Sequence, residues 1–209
     1  MADQAGVPRE FFNAIYGGAF DRAADASDAP WDIGRAQVAV EALIADGGVR
    51  GRVLDLGCGT GDNAIAMAHA GASVLGVDIV PAAIEKARAR AAARGVGLEL
   101  LVADALELGA LGRVFDVVLD SGTFHVFSDD DRIRYVGSVA SVLAPGGVLH
   151  VLCFSDQQPP GPGPRHVSEA EIAATFEGPF EITRVVPTRF MTRGHPAGAP
   201  AWHATLARR

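Results

Sequence analysis

The chain has 209 residues, enough for one α/β domain with a full core and too few for two generous ones. Its composition is globular, with 49% hydrophobic and 21% charged residues, and a net charge of -7 supplies no basic stripe for neutralising phosphates, so no nucleic-acid partner is expected. No apolar run reaches membrane-spanning length, no basic-then-apolar leader opens the chain, and the two cysteines lack metal or redox spacing; a cytoplasmic protein with no membrane partner and reduced packing cysteines is expected.

In chain order, Pro8 to Tyr16 predicts a short amphipathic helix ended by Gly17-Gly18, and it carries a dense aromatic cluster. Because it precedes the sheet, it either anchors on the outside of the core or folds across the mouth of a site. Residues 19–29 are polar and turn-prone. Next, Pro30-Trp31-Asp32-Ile33-Gly34-Arg35 places a Trp where a plain linker would have none. That Trp either wedges between helix and sheet or belongs to a site, and Asp32 can cap a helix running from Arg35 to Ala45. Residues 1–35 are read as a cap or lid and 36–209 as the body of a single domain.

The stretch Val53-Leu54-Asp55-Leu56-Gly57-Cys58-Gly59-Thr60-Gly61-Asp62 reads as a buried strand, a glycine turn and the start of a helix that ends near Gly71. In an open α/β sheet that turn is where a small molecule binds. A dinucleotide fingerprint needs Gly-x-Gly-x-x-Gly, and counted from Gly57 its last position is Asp62, a carboxylate where two phosphates need positive potential. The turn therefore suits a ligand carrying positive charge.

A second strand, residues 72–78, ends in Asp78, the distance downstream at which an acid holds ribose hydroxyls. A helix opening at Pro81 and closing at Gly95 crosses over to a third strand, Leu98 to Val102, which ends in Ala103-Asp104-Ala105. The fourth strand, Val114 to Leu119, leads into Asp120-Ser121-Gly122-Thr123-Phe124-His125. A helix from Asp129 to Leu143, stopped by Pro145-Gly146-Gly147, and a fifth strand, Val148 to Phe154, follow. Residues 157–166 hold four prolines and read as a loop, and Ser168 opens a capped helix running to Phe176. Phe180 to Thr188 and Ala201 to Leu206 read as closing strands, joined by a second long connection across residues 189–200.

The Asp-Leu-Gly-Cys-Gly-Thr-Gly turn, Asp78 at a strand end and the Ala-Asp-Ala step resemble class I S-adenosylmethionine-dependent methyltransferases. The segments "PWDIG", "DSGTFHVFSDDDR" and "LAPGGVLHVLCFSD" resemble the bacterial small-molecule branch of that family, near the thiopurine and heterocyclic-toxin methyltransferases. The resemblance implies a Rossmann-like, doubly wound seven-stranded α/β sheet of order 3-2-1-4-5-7-6 with the last strand antiparallel, in a three-layer sandwich. It also implies S-adenosylmethionine as cofactor and S-adenosylhomocysteine as product. Asp55, Gly57, Gly59 and Gly61 would then line the methionine and ribose side, Asp78 would take both ribose hydroxyls, and Ile79 would cover an adenine face. Asp104 and the Ala105 backbone would read the adenine edge, Trp31 would shield the sulfonium with Asp32 near it, and Asp120 would add negative charge close by.

Methyl transfer from a sulfonium is an in-line displacement that needs orientation more than acid-base machinery. His125, following the fourth strand, is the candidate base if the acceptor is a hydroxyl; a hydrogen-bonded structural histidine is the competing reading. Asp120 and Ser121 are candidate positioning groups. Phe11, Tyr16, Trp31, Phe124 and Phe127 are the candidate acceptor pocket, favouring a flat molecule. No metal is expected. The expected reaction is methylation of O, N or S on a small aromatic or heterocyclic molecule, in detoxification or natural-product tailoring, by a monomer or homodimer. A non-catalytic binder of the same nucleoside, and more remotely a nicotinamide-dependent oxidoreductase, remain as alternatives.

Overall fold

Apolar runs such as Val53-Leu54, Val74-Leu75 and Val117-Val118-Leu119 suit strands covered on both faces, because no polar alternation leaves a side for water. In the computed structural model, which describes residues 6–17, 29–158 and 163–209, these runs are the centre of a seven-stranded sheet. The polar segment read at residues 19–28 and the prolines at 159, 160 and 162 lie outside the described residues.

The strands are β1 (Arg52–Leu56), β2 (Ser73–Asp78), β3 (Glu99–Val102), β4 (Phe115–Ser121), β5 (Leu143–Phe154), β6 (Phe180–Thr192) and β7 (His195–Arg208), in the spatial order β3-β2-β1-β4-β5-β7-β6. All neighbours from β3 to β5 are parallel, whereas β7 runs antiparallel to both β5 and β6. The order reverses between β1 and β4, so the carboxyl ends of these two strands flank the crevice in which such sheets bind ligands.

The helices are α1 (Arg9–Tyr16), α2 (Val38–Ala45), α3 (Asp62–His69), α4 (Pro81–Ala93), α5 (Asp129–Val142) and α6 (Glu169–Phe176). Leu54 and Leu56 point to one face, where Tyr135 and Val139 of α5 and Ile172 and Phe176 of α6 bury them. Val53 points to the other, against Val40 of α2 and Met67 of α3. Ile84 and Ala87 of α4 pack on Leu100 of β3. The α6 cap expected at Ser168 is a full capping box: Ser168 Oγ accepts from the Glu171 N–H, and the Glu171 carboxylate accepts from the Ser168 N–H.

Three boundaries differ from the sequence reading. The second helix begins at Val38, with Gln37 and not Asp32 at its cap. Pro145-Gly146-Gly147 lies inside β5, in a bulge between the pairs Phe115 with Leu143 and Val117 with Val148. The long connection expected over residues 189–200 is instead a hairpin closed by Arg193-Gly194. Its ladder with β5 stops at Phe154 with Ala201, one further bond runs from the Ser155 N–H to Pro200 O at 3.0 Å, and residues 195–199 pair only with β6. Pro196 is tolerated because this two-stranded arm has a free edge there, and Pro200 because only its carbonyl is called on to bond Ser155. The arm reaches past the carboxyl end of β5, over the crevice.

Candidate active site

The glycine turn begins where β1 ends, and backbone bonds tie it to β2: Cys58 N–H donates to Val77 O at 2.8 Å, and Gly61 N–H to Cys58 O at 2.9 Å. Gly57 has φ +68°, and a Cβ there would stand 1.9 Å from Thr123 Oγ1, whose hydroxyl donates to Leu56 O. A Cβ on Gly59 (φ +54°) would stand 2.7 Å from the Tyr16 hydroxyl. Gly61 serves a different end, since a Cβ there would stand 3.0 Å from Ala87 Cβ of α4.

Four acids surround this turn in two different states. Asp62 and Asp32 are neutralised by cations that local sequence does not reveal. Arg90 of α4 holds Asp32 through both guanidinium nitrogens at 2.9 Å, reaches Asp62 Oδ2 at 2.5 Å and donates to Thr60 Oγ1, while Arg94 lies 2.9 Å from Asp62 Oδ1. Against burial, which would raise it, Arg90 holds the Asp32 carboxyl below the usual carboxylate range. The reading of Asp62 as an open negative rim is therefore corrected: its charge is compensated within the scaffold.

The uncompensated acids are Asp78 and Asp55. Asp78 Oδ2 accepts from Gly59 N–H and Oδ1 from Val80 N–H, both at 2.9 Å, which shapes the turn and leaves further lone pairs. Asp55 is buried beside the first turn of α3, and neither of its oxygens has a hydrogen-bond partner. Burial, opposed by the nearby Ala64 N–H and reinforced by the neighbouring Asp120 and Asp78 charges, pushes its carboxyl up to about 8.

Beside the turn is a narrow cleft of about 50 Å³, lined by Gly57, Gly59, Asn63, Ser121, Trp31 and Phe190 among others. Trp31 Nε1 donates to the Tyr16 hydroxyl at 2.9 Å, fixing α1 to the segment before α2 directly above Gly59. Val7 N–H donates to Val126 O, so the chain leading into α1 crosses the carboxyl edge of the sheet. Ile79 is half-buried against the same aromatic group. Asp104 Oδ1 accepts from Leu106 N–H at 2.8 Å in a tight turn beyond β3, with Ala105 half-buried beside it.

The other proposed pocket residues lie elsewhere. Phe124 is fully buried between Tyr135 and Phe176 with Arg132 4.2 Å above its ring, so it is core. Phe127 packs on Tyr135, and Phe11 is exposed on α1.

The catalytic expectations are corrected too. Asp120 is fully buried; Oδ1 accepts from Thr123 and Phe124 N–H, and Oδ2 from the Tyr135 hydroxyl at 2.7 Å. It holds the chain after β4 and turns away from the cleft. His125 Nδ1 accepts from Phe154 N–H at 3.1 Å, so the neutral ring carries its proton on Nε2 and has no free lone pair for an acceptor. Burial, with Arg132 nearby, lowers its pKa to about 3. Ser121 remains in the cleft, its buried Oγ without a partner.

His125→Ala is thus expected to lower the melting temperature, since a buried N–H loses its acceptor at about 1–3 kcal/mol. The pH profile of kcat should keep its shape, and His125→Asn, which restores an acceptor, should recover most of the stability. Loss of an inflection between pH 5 and 8 in His125→Ala would restore the base reading.

Sequence reasoning missed Arg90, Gln37, Phe190 and Arg193. Gln37 exchanges two hydrogen bonds with the Met191 backbone at 2.8 and 2.9 Å, and Arg193 donates from its backbone to Pro30 O and from Nε to Asp32 O. These bonds clasp the hairpin arm to the Trp31 segment. Two acids, Asp32 and Asp62, in search of a cation were the only signal in the sequence for Arg90.

The residues fit a cationic nucleoside: a glycine turn held at φ > 0 between β1 and α3, and beside it two buried acids, Asp55 and Asp78, that no Lys or Arg pairs among the described residues. The chain matches the methyltransferase domain model over residues 53–147. It is 34% identical over 168 residues to the 2-heptyl-1-hydroxyquinolin-4(1H)-one methyltransferase of Mycobacteroides abscessus, covering 79% of this chain and 74% of that one. A chain solved in work on the conversion of a disulfide bond into a thioacetal group during echinomycin biosynthesis superposes with a TM-score of 0.85 at 33% identity, covering 96% of this chain and 93% of that one. Magnesium protoporphyrin IX methyltransferase from Synechocystis PCC 6803 with bound S-adenosylmethionine superposes at 0.63 and 25% identity, over 82% and 76% of the two chains. Sheet order, glycine turn and these likenesses converge, and the chain belongs to the class I S-adenosylmethionine-dependent methyltransferases.

Proposed function

We propose that the protein methylates an O, N or S atom of a small aromatic or heterocyclic acceptor. The observation that carries this reading is the cleft itself. Trp31 and Phe190 line it beside Gly59 and Ser121, and Tyr16 is bonded to Trp31 at its edge, an aromatic border that favours a flat ring over a charged polymer. A hydroxyquinolone acceptor named for one relative supports the same class.

S-adenosylmethionine, when bound, supplies an electrophilic methyl group on a sulfonium. In this reading Asp78 takes the ribose hydroxyls, Asp104 and the Ala105 backbone face the adenine, and Ile79 covers its ring. Asp55 gives the positive end of the cofactor its counter-charge. Trp31 and Tyr16 exclude water above Gly59, and Ser121 Oγ, lacking a partner, orients the acceptor. Among the described residues, His125 and Asp120 are engaged in the scaffold and the cleft acids Asp32 and Asp62 are held by Arg90, so this reading assigns no enzyme base.

The acceptors used should therefore be those that ionise unaided, such as acidic hydroxyls and thiols. Turnover with a labelled methyl donor against phenols, N-hydroxy heterocycles and thiols of graded acidity is expected to follow the acceptor. The midpoint of the kcat/KM profile should move with the acceptor's own pKa, and one fixed midpoint across the series would require an enzyme base.

A further inference from the structure

We infer that Phe190, carried on the β6–β7 arm, is the wall that sets how wide an acceptor ring can lie beside the transferred methyl group; this rests on the function proposed above. Along the carboxyl edge the site residues follow the strand order: Asp104 after β3, Asp78 at β2, the glycine turn at β1, Ser121 at β4. With the nucleoside over β3, β2 and β1, the acceptor has to come from the β4 and β5 side. Phe190 stands there.

Its ring lies over Gly122, the residue after Ser121, where a Cβ would be 2.9 Å from Phe190 Cζ. It packs edge-on to Phe154 of β5 at 5.2 Å and lies 6.0 Å from the His125 ring. Although only 5% exposed, it is one of the cleft-lining residues, as is Trp31. On the β5 side the arm is held by the Phe154 ring and by one bond from the Ser155 N–H to Pro200 O at 3.0 Å, the ladder having ended at Phe154. On the other side it is held by the Gln37 bonds to Met191 and the Arg193 bonds to Pro30 and Asp32, that is, by the segment carrying Trp31. Phe190 and Trp31, both lining the cleft, are thereby held relative to one another. Side-chain volume at residue 190 then decides whether a fused two-ring acceptor enters as readily as a single ring.

The test uses a phenol and a hydroxyquinoline of similar acidity with the wild type, Phe190→Leu and Phe190→Trp. Phe190→Leu is expected to raise the two-ring to one-ring ratio of kcat/KM about tenfold, and Phe190→Trp to lower it by a similar factor. A folding defect lowers both acceptors alike and leaves the ratio where it was, so the ratio reads the wall. The same two compounds titrated calorimetrically into S-adenosylhomocysteine-loaded protein give a Kd ratio even where no product forms. A shifted Kd ratio without product supports the wall and counts against the proposed reaction; ratios unchanged in both variants overturn the assignment of Phe190.

Discussion

Asp78→Asn is expected to weaken S-adenosylhomocysteine binding at least a hundredfold while the sheet stays folded. The carboxylate accepts from two backbone N–H groups, Gly59 and Val80, at opposite oxygens. An amide can accept at only one of them and presents a donor to the other, so one buried N–H loses its partner and meets a competing donor. Charge-assisted bonds of this kind contribute about 1.5–3 kcal/mol each, and the ribose hydroxyls lose an anionic acceptor as well. The bonds to Gly59 and Val80 are made with or without cofactor, so their loss falls on stability, whereas the two charge-assisted bonds from the ribose hydroxyls, about 3 kcal/mol together, are two orders of magnitude in Kd. Thermal unfolding should report the lost backbone acceptor, about 1–3 kcal/mol, with a transition that stays cooperative. Calorimetric titration of wild type and variant decides it; equal Kd values would take Asp78 out of the cofactor site.

The parts of this site that were legible in the sequence are those whose physics is local. A strand that cannot face water, a turn that needs φ > 0 at residues 57, 59 and 61, and an acid at the end of the next strand each leave a mark within a few residues. The parts that were not legible depend on distant partners. Asp62 reads as an exposed charge until Arg90, 28 residues later, is brought against it by the α3–α4 packing that Gly61 permits. His125 and Phe124 follow a strand end, the position that suggests chemistry, yet a single turn of 3-10 helix points both inward, against Phe154 and Tyr135. The hairpin arm was hidden by its own composition. Proline and glycine at 196, 198 and 200 signal a loop, and only an edge with no further strand lets them sit in β structure.

Separating compensated from uncompensated acids also moves the source of the cofactor preference. If Asp62 carried it, Arg90→Ala would strengthen cation binding; because Asp62 and Asp32 are held by Arg90 as scaffold, the preference instead rests with Asp55 and Asp78. A buried carboxylate with no partner is unfavourable for the free protein, which is the usual cost of a site shaped for a charge it does not itself contain.

Asp55 therefore carries a pH signature. With its carboxyl pushed up to about 8, it is roughly nine-tenths protonated in the free protein at pH 7, and a bound cation requires the ionised form. Cofactor binding at pH 7 should release close to one proton, seen calorimetrically as a binding enthalpy that varies with the buffer's ionisation enthalpy. Affinity should climb with pH up to about 8 and then level. In Asp55→Asn the proton release should vanish, and the affinity gap to wild type should be small at pH 6 and widest at pH 8.5, where about a hundredfold is expected. Stability moves the other way. A carboxyl whose folded pKa lies above its unfolded value stabilises the fold most at pH values below the unfolded pKa, and that contribution is lost as pH rises through the folded value near 8. The ligand-free Asp55→Asn protein should accordingly be more stable than wild type at pH 8.5, by on the order of a few kcal/mol, with the two curves converging only below about pH 4, where the unfolded carboxyl is protonated too. A variant that loses stability at every pH while proton release persists would show that Asp55 is an ordinary core carboxyl and that the cofactor's charge is met elsewhere.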